Sequence, residues 1–309
     1  MDIQKLKGHG AMLAANTMWG LMSPLAKFVM IGGVVTPLLV TDLRVFGAMV
    51  LFWIASFFRK PEHVGHKDLA KLFVASFLAI VFNQGCFIFG VGLTSPADAS
   101  IITTSMPLWA MILAAIYLKE PVTGKKVIGI FLGSIGALTL ILSSQGSTDG
   151  KGGSIPGDLL CLLAQISFSF YLAIFKGLIS RYNIFTLMKW MFTYAAICFI
   201  PFSYHEVSTI HFHEISTSTW ACVAYVIVGG TFLAYILMMI GQKTLRPTVI
   251  SMYNYVQPIV GTSVSILLGM GTFGVAKGIA VALVFTGVYI VTQSKSREQM
   301  LAEQAAKKE

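Results

Sequence analysis

The chain has 309 residues, of which 56% are apolar and only 11% charged, and its net charge is +9. A mean hydropathy of +0.77 excludes an ordinary water-soluble domain, because such a domain would expose too much apolar surface. A transmembrane α-helix needs about 20 predominantly apolar residues. In chain order, the sequence predicts ten such spans, at 9–30, 36–58, 69–92, 97–118, 124–143, 157–179, 183–202, 218–242, 248–269 and 274–293.

The positive charge is distributed by loop. Lysine and arginine cluster before the first span and after every second one, whereas the other loops carry only Lys151. Cytoplasmic loops of membrane proteins carry an excess of these residues. The pattern therefore predicts an inner (plasma) membrane protein with both termini cytoplasmic, and it accounts for the charge without a nucleic-acid partner.

The two halves of the chain resemble each other across a Gly/Ser-rich linker at 144–156. Shifts of 149 to 151 residues superimpose matching residues: Gly8 on Gly157, Trp19 on Phe168, Gly90 on Gly241, Pro96 on Pro247, Pro107 on Pro258 and Gly136 on Gly287. An odd number of crossings reverses the chain direction, so two five-helix units in tandem are inverted relative to each other. The predicted organisation is one repeat in 1–143, a second in 157–293 and a cytoplasmic tail in 294–309.

The segment from Gly92 to Ile141 resembles the EamA family of the drug/metabolite transporter superfamily. The family pattern is a helix with small polar residues and a proline, a glutamate near its end, and then a glycine-rich helix. This chain has Pro107, Glu120, Gly133 and Gly136 in those places. Further matches are Trp19-Gly20, Arg44, Asn254, Pro258 and Gly287, and one departure is Gly271, where the repeat calls for glutamate.

This resemblance covers nearly the whole chain. It implies an all-α integral membrane protein with ten helices in two inverted five-helix repeats. It also implies a carrier of small metabolites, often amino acids and frequently exported, and it does not fix the substrate.

Two basic residues lie deep in predicted spans. Ionisable groups in a membrane are costly and usually functional. With a four-residue gap, Arg44 in the second span and Lys189 in the seventh align as repeat partners, and such cations attract a substrate carboxylate or phosphate. The alternatives are that Arg44 pairs with Asp42, or that both side chains reach toward the headgroups.

Uncharged polar and aromatic residues inside apolar helices are the other candidates for substrate binding. An amide or hydroxyl in lipid needs a partner helix or a wet cavity. The alternative for each is a hydrogen bond between helices, or apolar packing for the aromatic rings. The candidate set is Asn16, Trp19, Asn83, Gln84, Thr103, Gln165, Tyr171, Tyr253, Asn254 and Gln257.

Three residues are candidates for gating or hinge positions. Pro107 and Pro258 are predicted at mid-helix, where proline frees carbonyl groups on the preceding turn. Glu120 ends the fourth span, where the helix dipole disfavours a negative charge. We therefore expect Glu120 to form a salt bridge with Lys125 or Lys126.

Several functions are disfavoured by what the sequence lacks. No acidic residue lies near the middle of a span, which disfavours a buried proton relay, and no Walker phosphate loop points to ATP. The four cysteines are expected to pack as small apolar residues, and the loop with His205, His211 and His213 is expected to be solvated rather than metal-binding. No cofactor or metal is predicted.

The sequence thus predicts a secondary transporter, not an enzyme or a channel. Its partners are a small-molecule substrate and the lipid bilayer, and it is expected to act as a monomer, with a dimer as the alternative. The substrate is expected to be an amino acid or a related amphipathic compound, exported or exchanged by alternating access. The alternative is an antiporter of phosphorylated compounds such as nucleotide sugars.

Overall fold

A computed structural model describes residues 3–30, 35–93, 102–144, 155–209, 216–267, 275–295, 297 and 299–301. This described part contains helices and no strand. The helices are α1 Ile3–Met30, α2 Pro37–Phe57, α3 His66–Ser76, α4 Asn83–Leu93, α5 Met106–Tyr117, α6 Gly124–Ser144, α7 Ile155–Ile174, α8 Lys176–Arg181, α9 Ile184–Thr209, α10 Thr217–Ile227, α11 Ala234–Thr244, α12 Pro247–Met252, α13 Val256–Leu267 and α14 Val275–Thr292.

Three pairs of helices run into each other through non-α segments. A π-helical segment, Phe77–Phe82, joins α3 to α4, and another, Val228–Leu233, joins α10 to α11. A 3₁₀ turn, Tyr253–Tyr255, joins α12 to α13. The two π segments, Phe77–Phe82 and Val228–Leu233, were not predicted from the sequence. A π segment places an extra residue in a helical turn and commonly marks a functional site.

Every predicted span contains helix, and five stretches are long and apolar enough to cross a membrane: Leu38–Phe57, His66–Phe87, Ile155–Ile174, Ile184–Tyr204 and Thr217–Thr244. Large apolar side chains such as Val50 and Ile54 stay about half exposed on the outside of the bundle. An exposed apolar surface of this kind is stable in lipid. The all-helical membrane class is therefore confirmed.

The prolines predicted at mid-helix lie instead in the first turn of new helices. Pro107 is the second residue of α5, after a turn at Thr104 and Ser105, and Pro258 is the third residue of α13, after the 3₁₀ turn. Proline lacks an N–H and disfavours helical geometry at the residue before it. The helix therefore breaks before each proline and restarts with the proline in its first turn, where no N–H is needed.

Glycines bring α6 and α14 into backbone contact. A Cβ on Gly129 would lie 2.7 Å from the carbonyl oxygen of Gly287, and a Cβ on Gly287 would lie 2.5 Å from that of Gly129. Gly136 is equally close to the Ala280 carbonyl, at 2.6 Å. Helices in lipid associate through such close approach of small residues.

Four aligned glycines form two further crossings. A Cβ on Gly90 in α4 would lie 2.9 Å from the carbonyl oxygen of Gly157 in α7. A Cβ on Gly241 in α11 would lie 3.7 Å from the carbonyl oxygen of Gly8 in α1. The sequence pairs that superimpose by the repeat shift, Gly8 with Gly157 and Gly90 with Gly241, thus occupy matching crossings.

Candidate functional site

Arg44 points from α2 toward the π segment between α10 and α11. Its Nε donates to the Thr231 hydroxyl at 3.1 Å, and that hydroxyl donates to the Val226 carbonyl at 2.8 Å. The salt bridges among the described residues do not include Arg44, so the suggested pairing with Asp42 does not occur there. Asp42 is itself buried and accepts a hydrogen bond from Ser203 at 2.5 Å.

Next to Arg44, the hydroxyl of Tyr235 joins α11 to α4. Gln84 Nε2 donates to this hydroxyl at 3.1 Å, while its Oε1 is buried without a hydrogen-bond partner in the described part of the chain. Arg44 is close enough to Tyr235 to interact with it electrostatically. Gln84 and Tyr235 are separated by the same 151 residues as the repeat, so two repeat-related positions meet here. We call Arg44, Gln84, Thr231 and Tyr235 the central cluster.

Aromatic rings flank the central cluster. Trp19 Nε1 donates to the Gly230 carbonyl at 2.9 Å, and its ring meets Tyr235 edge-on with 5.8 Å between centroids. The Phe192 ring packs edge-on against Tyr235 from α9 at 5.0 Å. Trp19 and Gln84, both candidates from the sequence, thus contact the same residue, Tyr235. No sequence argument paired either of them with Tyr235.

A chain of amides connects α1 with α13. The Asn16 side chain is fully buried and donates to the Met12 carbonyl at 2.9 Å, and Gln257 Nε2 donates to Asn16 Oδ1 at 2.9 Å. The same Gln257 nitrogen lies 3.5 Å from Asn254 Oδ1, and Asn254 in turn donates to the Met106 sulfur. The structure thus brings together three of the predicted binding residues, Asn16, Asn254 and Gln257.

The remaining polar candidates make contacts between neighbouring helices. Asn83 Nδ2 donates to the Ala164 carbonyl at 2.8 Å, and Gln165 is buried beside it on α7. The fully buried Tyr171 donates to Gln242 Oε1 at 2.9 Å. The Tyr253 hydroxyl lies 2.8 Å from His9 Nδ1. Thr103 precedes the turn before α5.

Lys189 is not brought to Arg44 by any described contact. Its ammonium lies over the Trp53 ring, 4.8 Å from the centroid, at the packing of α2 against α9. A cation on an aromatic face is stabilised by the ring quadrupole. The two cations that the sequence aligned therefore have different contacts: Arg44 bonds to Thr231, and Lys189 lies over Trp53.

Glu120 forms the expected salt bridge. Its Oε2 accepts from Lys126 Nζ at 2.8 Å, and both side chains are buried. The loop between α5 and α6 contains Lys119, whose φ of 53° lies in the left-handed region. Burial lowers the pKa of the nearby Arg246, and the negative charge of Glu120 opposes this shift. Arg246 also donates to the Ser294 carbonyl at 2.8 Å, at the end of α14.

Thr231 and Tyr235 were not among the candidates from the sequence, although the repeat offered one indication of Tyr235. The shift of 151 residues places Tyr235 on Gln84, so the repeat already marked its position. Among the described residues, no group of three histidine, cysteine or acidic side chains is arranged to hold a metal ion. His211 and His213 lie outside the described residues.

The sequence matches the EamA-like transporter family twice, at residues 6–142 and 155–293. Similar proteins include the uncharacterized transporter YetK of Bacillus subtilis, 25% identical over 75% of this chain and 70% of YetK. The WAT1-related protein At3g53210 of Arabidopsis thaliana is 24% identical over 81% of this chain and 76% of that protein. The uncharacterized transporter sll0355 of Synechocystis is 22% identical over 94% of this chain and 90% of that protein.

A crystal structure shares the fold, with a TM-score of 0.75 and 19% identity over 94% of this chain and 96% of the other chain. The two family matches cover almost all of the helical part described above. The chain is therefore a multi-pass membrane protein that belongs to the EamA-like transporter family.

Proposed function

We propose that this chain exports or exchanges amino acids or related amphipathic metabolites across the inner membrane by alternating access. The observation that carries this proposal is Arg44, a cation inside the helix bundle without a carboxylate partner among the described residues. It would act without a cofactor or catalysis, and as a monomer.

The proposed architecture is ten spans in two inverted repeats. The packing of helices supports it, because contacts in one half have counterparts in the other. Helix α4 packs on α7 as α11 packs on α1, and α5 packs on α7 as α13 packs on α1. Such an exchange of partners is expected when two similar units are related by a pseudo-twofold axis.

The breaks in the helices support the same architecture. The π segments begin at Phe77 and Val228, which are separated by 151 residues, and the breaks before Pro107 and Pro258 have the same separation. Broken helices at matching positions of two halves often surround a transporter's binding site. The central cluster lies against the second π segment through Thr231.

Arg44 is the proposed partner of a substrate carboxylate. A buried charge without a counterion is costly, and an arriving anion offsets that cost. Among the described residues, Arg44 donates a hydrogen bond only through its Nε, which leaves the two terminal nitrogens of the guanidinium to form a paired hydrogen bond with a carboxylate.

Gln84 is the proposed partner of the substrate ammonium. Its amide is held at one end by Tyr235, and its carbonyl oxygen is a buried acceptor without a partner in the described part of the chain. An ammonium donor satisfies such an acceptor. Trp19 and Tyr235 then offer ring surface to the apolar part of an amphipathic substrate.

The other predicted residues have supporting roles in this proposal. Asn16, Asn254 and Gln257 would form a polar wall between α1 and α13, and Tyr253 would extend it through His9. Asn83, Gln165 and Tyr171 would fix the neighbouring helices, and Thr103 would lie at the break before α5. Pro107 and Pro258 would be hinges, while the Glu120–Lys126 pair would hold the adjoining loop during rocking.

Transport by purified protein in liposomes tests the proposal. A counterflow screen across amino acids should identify a zwitterionic substrate, and Arg44→Ala should lower its uptake at least tenfold with the protein still folded. Lys125→Gln removes an exposed cation and should leave uptake unchanged. Unchanged transport by Arg44→Ala would remove the proposed role of Arg44.

Phosphorylated compounds such as nucleotide sugars are the alternative substrates in the same screen. They would need a second cation at the site, and the described contacts of Lys189 are with Trp53 rather than with the central cluster. Counterflow of nucleotide sugars that is lost in both Arg44→Ala and Lys189→Ala would favour the alternative.

A further inference from the structure

A shallow pocket lies where α2 leaves the membrane and α9 enters it. It is lined by Arg59, Lys60, Pro61, Glu62 and Asn183. Arg59 and Lys60 come two and three residues after the end of α2, and Asn183 directly precedes α9. The pocket therefore lies just beyond the stretch of α2 that is long enough to cross a membrane, where lipid headgroups are expected.

The two cations of this pocket are free to meet an anion. Neither Arg59 nor Lys60 has a salt bridge in the part of the chain that the structure describes. The Arg59 guanidinium lies over the Phe185 ring, with its central carbon 4.9 Å from the centroid. This contact fixes the position of the charge without neutralising it.

The nearby carboxylates have other partners. Glu62 Oε2 accepts the backbone N–H of Asn183 at 2.9 Å. Asp68 accepts from Lys71 at 3.1 Å and from Tyr182 at 2.7 Å. The pocket therefore holds two cations and one carboxylate, a positive balance of one charge, and the carboxylate is held by the start of α9.

The membrane side of the pocket is aromatic and uncovered. Phe57 and Phe58 are 76% and 84% exposed, which makes them more exposed than Ile54 one turn deeper at 48%. Two such rings beside two cations match a molecule with an anionic head and apolar chains, because the head meets the cations while the rings contact the chains.

We propose that this pocket binds the headgroup of an anionic phospholipid of the membrane leaflet in which α2 ends. The phosphate contacts Arg59 and Lys60, and the acyl chains pass over Phe57 and Phe58. Bound there, the lipid would bridge the end of α2 and the start of α9, two helices that pack along their lengths.

Native mass spectrometry of the purified protein with added lipid tests this site. We expect phosphatidylglycerol to bind more tightly than phosphatidylcholine, with a difference that is lost in the double variant Arg59→Gln/Lys60→Gln. Each basic residue near an anionic lipid contributes on the order of fivefold in affinity, so the double variant should bind phosphatidylglycerol at least about tenfold more weakly.

The matched control is Lys119→Gln/Lys125→Gln, which removes one exposed cation from the loop after α5 and another from the first turn of α6. It should keep the wild-type preference for phosphatidylglycerol. Equal loss in the two double variants would overturn the proposal, because the effect would then be one of overall charge. Unchanged binding by Arg59→Gln/Lys60→Gln would overturn it as well.

A second comparison distinguishes a lipid from a free phosphate. Phe57→Ser/Phe58→Ser should weaken phosphatidylglycerol binding and leave the affinity for inorganic phosphate unchanged. If phosphate alone displaces the lipid at equal concentration and the aromatic variant binds as the wild type does, the pocket is a site for soluble anions and the lipid assignment fails.

Discussion

Polar side chains inside the helices of this chain need hydrogen-bond partners, because an unsatisfied polar group in lipid costs several kcal/mol. Asn16, Asn83 and Gln257 each bond to another helix, as their burial in apolar sequence required. The sequence analysis identified the residues that needed partners. It did not identify the partners, because a hydrogen bond between residues separated by 241 positions depends on how distant helices pack.

The buried pair of Glu120 and Lys126 gives a prediction at this scale. Breaking such a pair by removing one partner leaves an uncompensated buried charge, which costs about 3–5 kcal/mol. Glu120→Ala should therefore lower the midpoint of thermal unfolding in detergent. The double variant Glu120→Gln/Lys126→Met removes both charges and should recover most of that loss. If the double variant unfolds at the temperature of Glu120→Ala, the pair does not act through its charge.

Arg44 gives a second residue-scale prediction. If the guanidinium of Arg44 binds a substrate carboxylate, the variant Arg44→Lys keeps the positive charge but loses the paired hydrogen bonds. In the liposome assay it should raise the substrate concentration for half-maximal uptake severalfold while retaining measurable transport. The matched control Lys189→Arg should leave this value unchanged. Equal behaviour of Arg44→Lys and wild type would show that only the charge matters.

At the scale of helices, small residues and irregular turns determine how closely the elements pack. Gly129, Gly133 and Gly136 lie on one helix, α6, and the structure puts them against α14. The π segments were not predictable from the sequence. A π turn arises when the helix gains one residue to suit its neighbours, so it depends on packing more than on local composition.

The crossing of α6 and α14 gives a prediction at this scale. An added methyl group at Gly129 would meet the Gly287 carbonyl and the Val291 side chain, and overpacking of this kind costs about 1–3 kcal/mol. Gly129→Ala should lower the midpoint of thermal unfolding. Gly85→Ala makes the same change where nothing lies within 4 Å, and alanine favours helix, so it should be neutral or stabilising. Equal midpoints for the two variants would contradict this packing.

For the whole molecule, the proposed inverted repeats require that the two halves enter the membrane from opposite sides. The exposed positions Lys125 at the start of α6 and Ile155 at the start of α7 would then lie on opposite faces of the membrane. The positive-inside pattern assigns Lys125 to the cytoplasm. This arrangement is a property of the complete chain and of neither half alone.

Cysteine labelling of intact cells tests that arrangement. In a background with Cys86, Cys161, Cys198 and Cys222 replaced by alanine, Ile155→Cys should react with a membrane-impermeant maleimide. Lys125→Cys should react only after the membrane is permeabilised. Labelling of both positions from the same side would contradict the inverted architecture.

The sequence by itself determined the membrane class, the helical secondary structure and the family. The lengths of the apolar stretches and the order of the family's motifs are visible in the sequence without knowing which residues are in contact. The tertiary structure alone decided that Gln84 donates to Tyr235 and that Arg44 donates to Thr231. It also decided that Lys189 lies over the Trp53 ring and that the helices break before the prolines. Apolar periodicity in lipid does not distinguish one neighbouring helix from another. The partner of each polar side chain is set by close packing between segments far apart in the chain, where a shift of one residue would break its hydrogen bond.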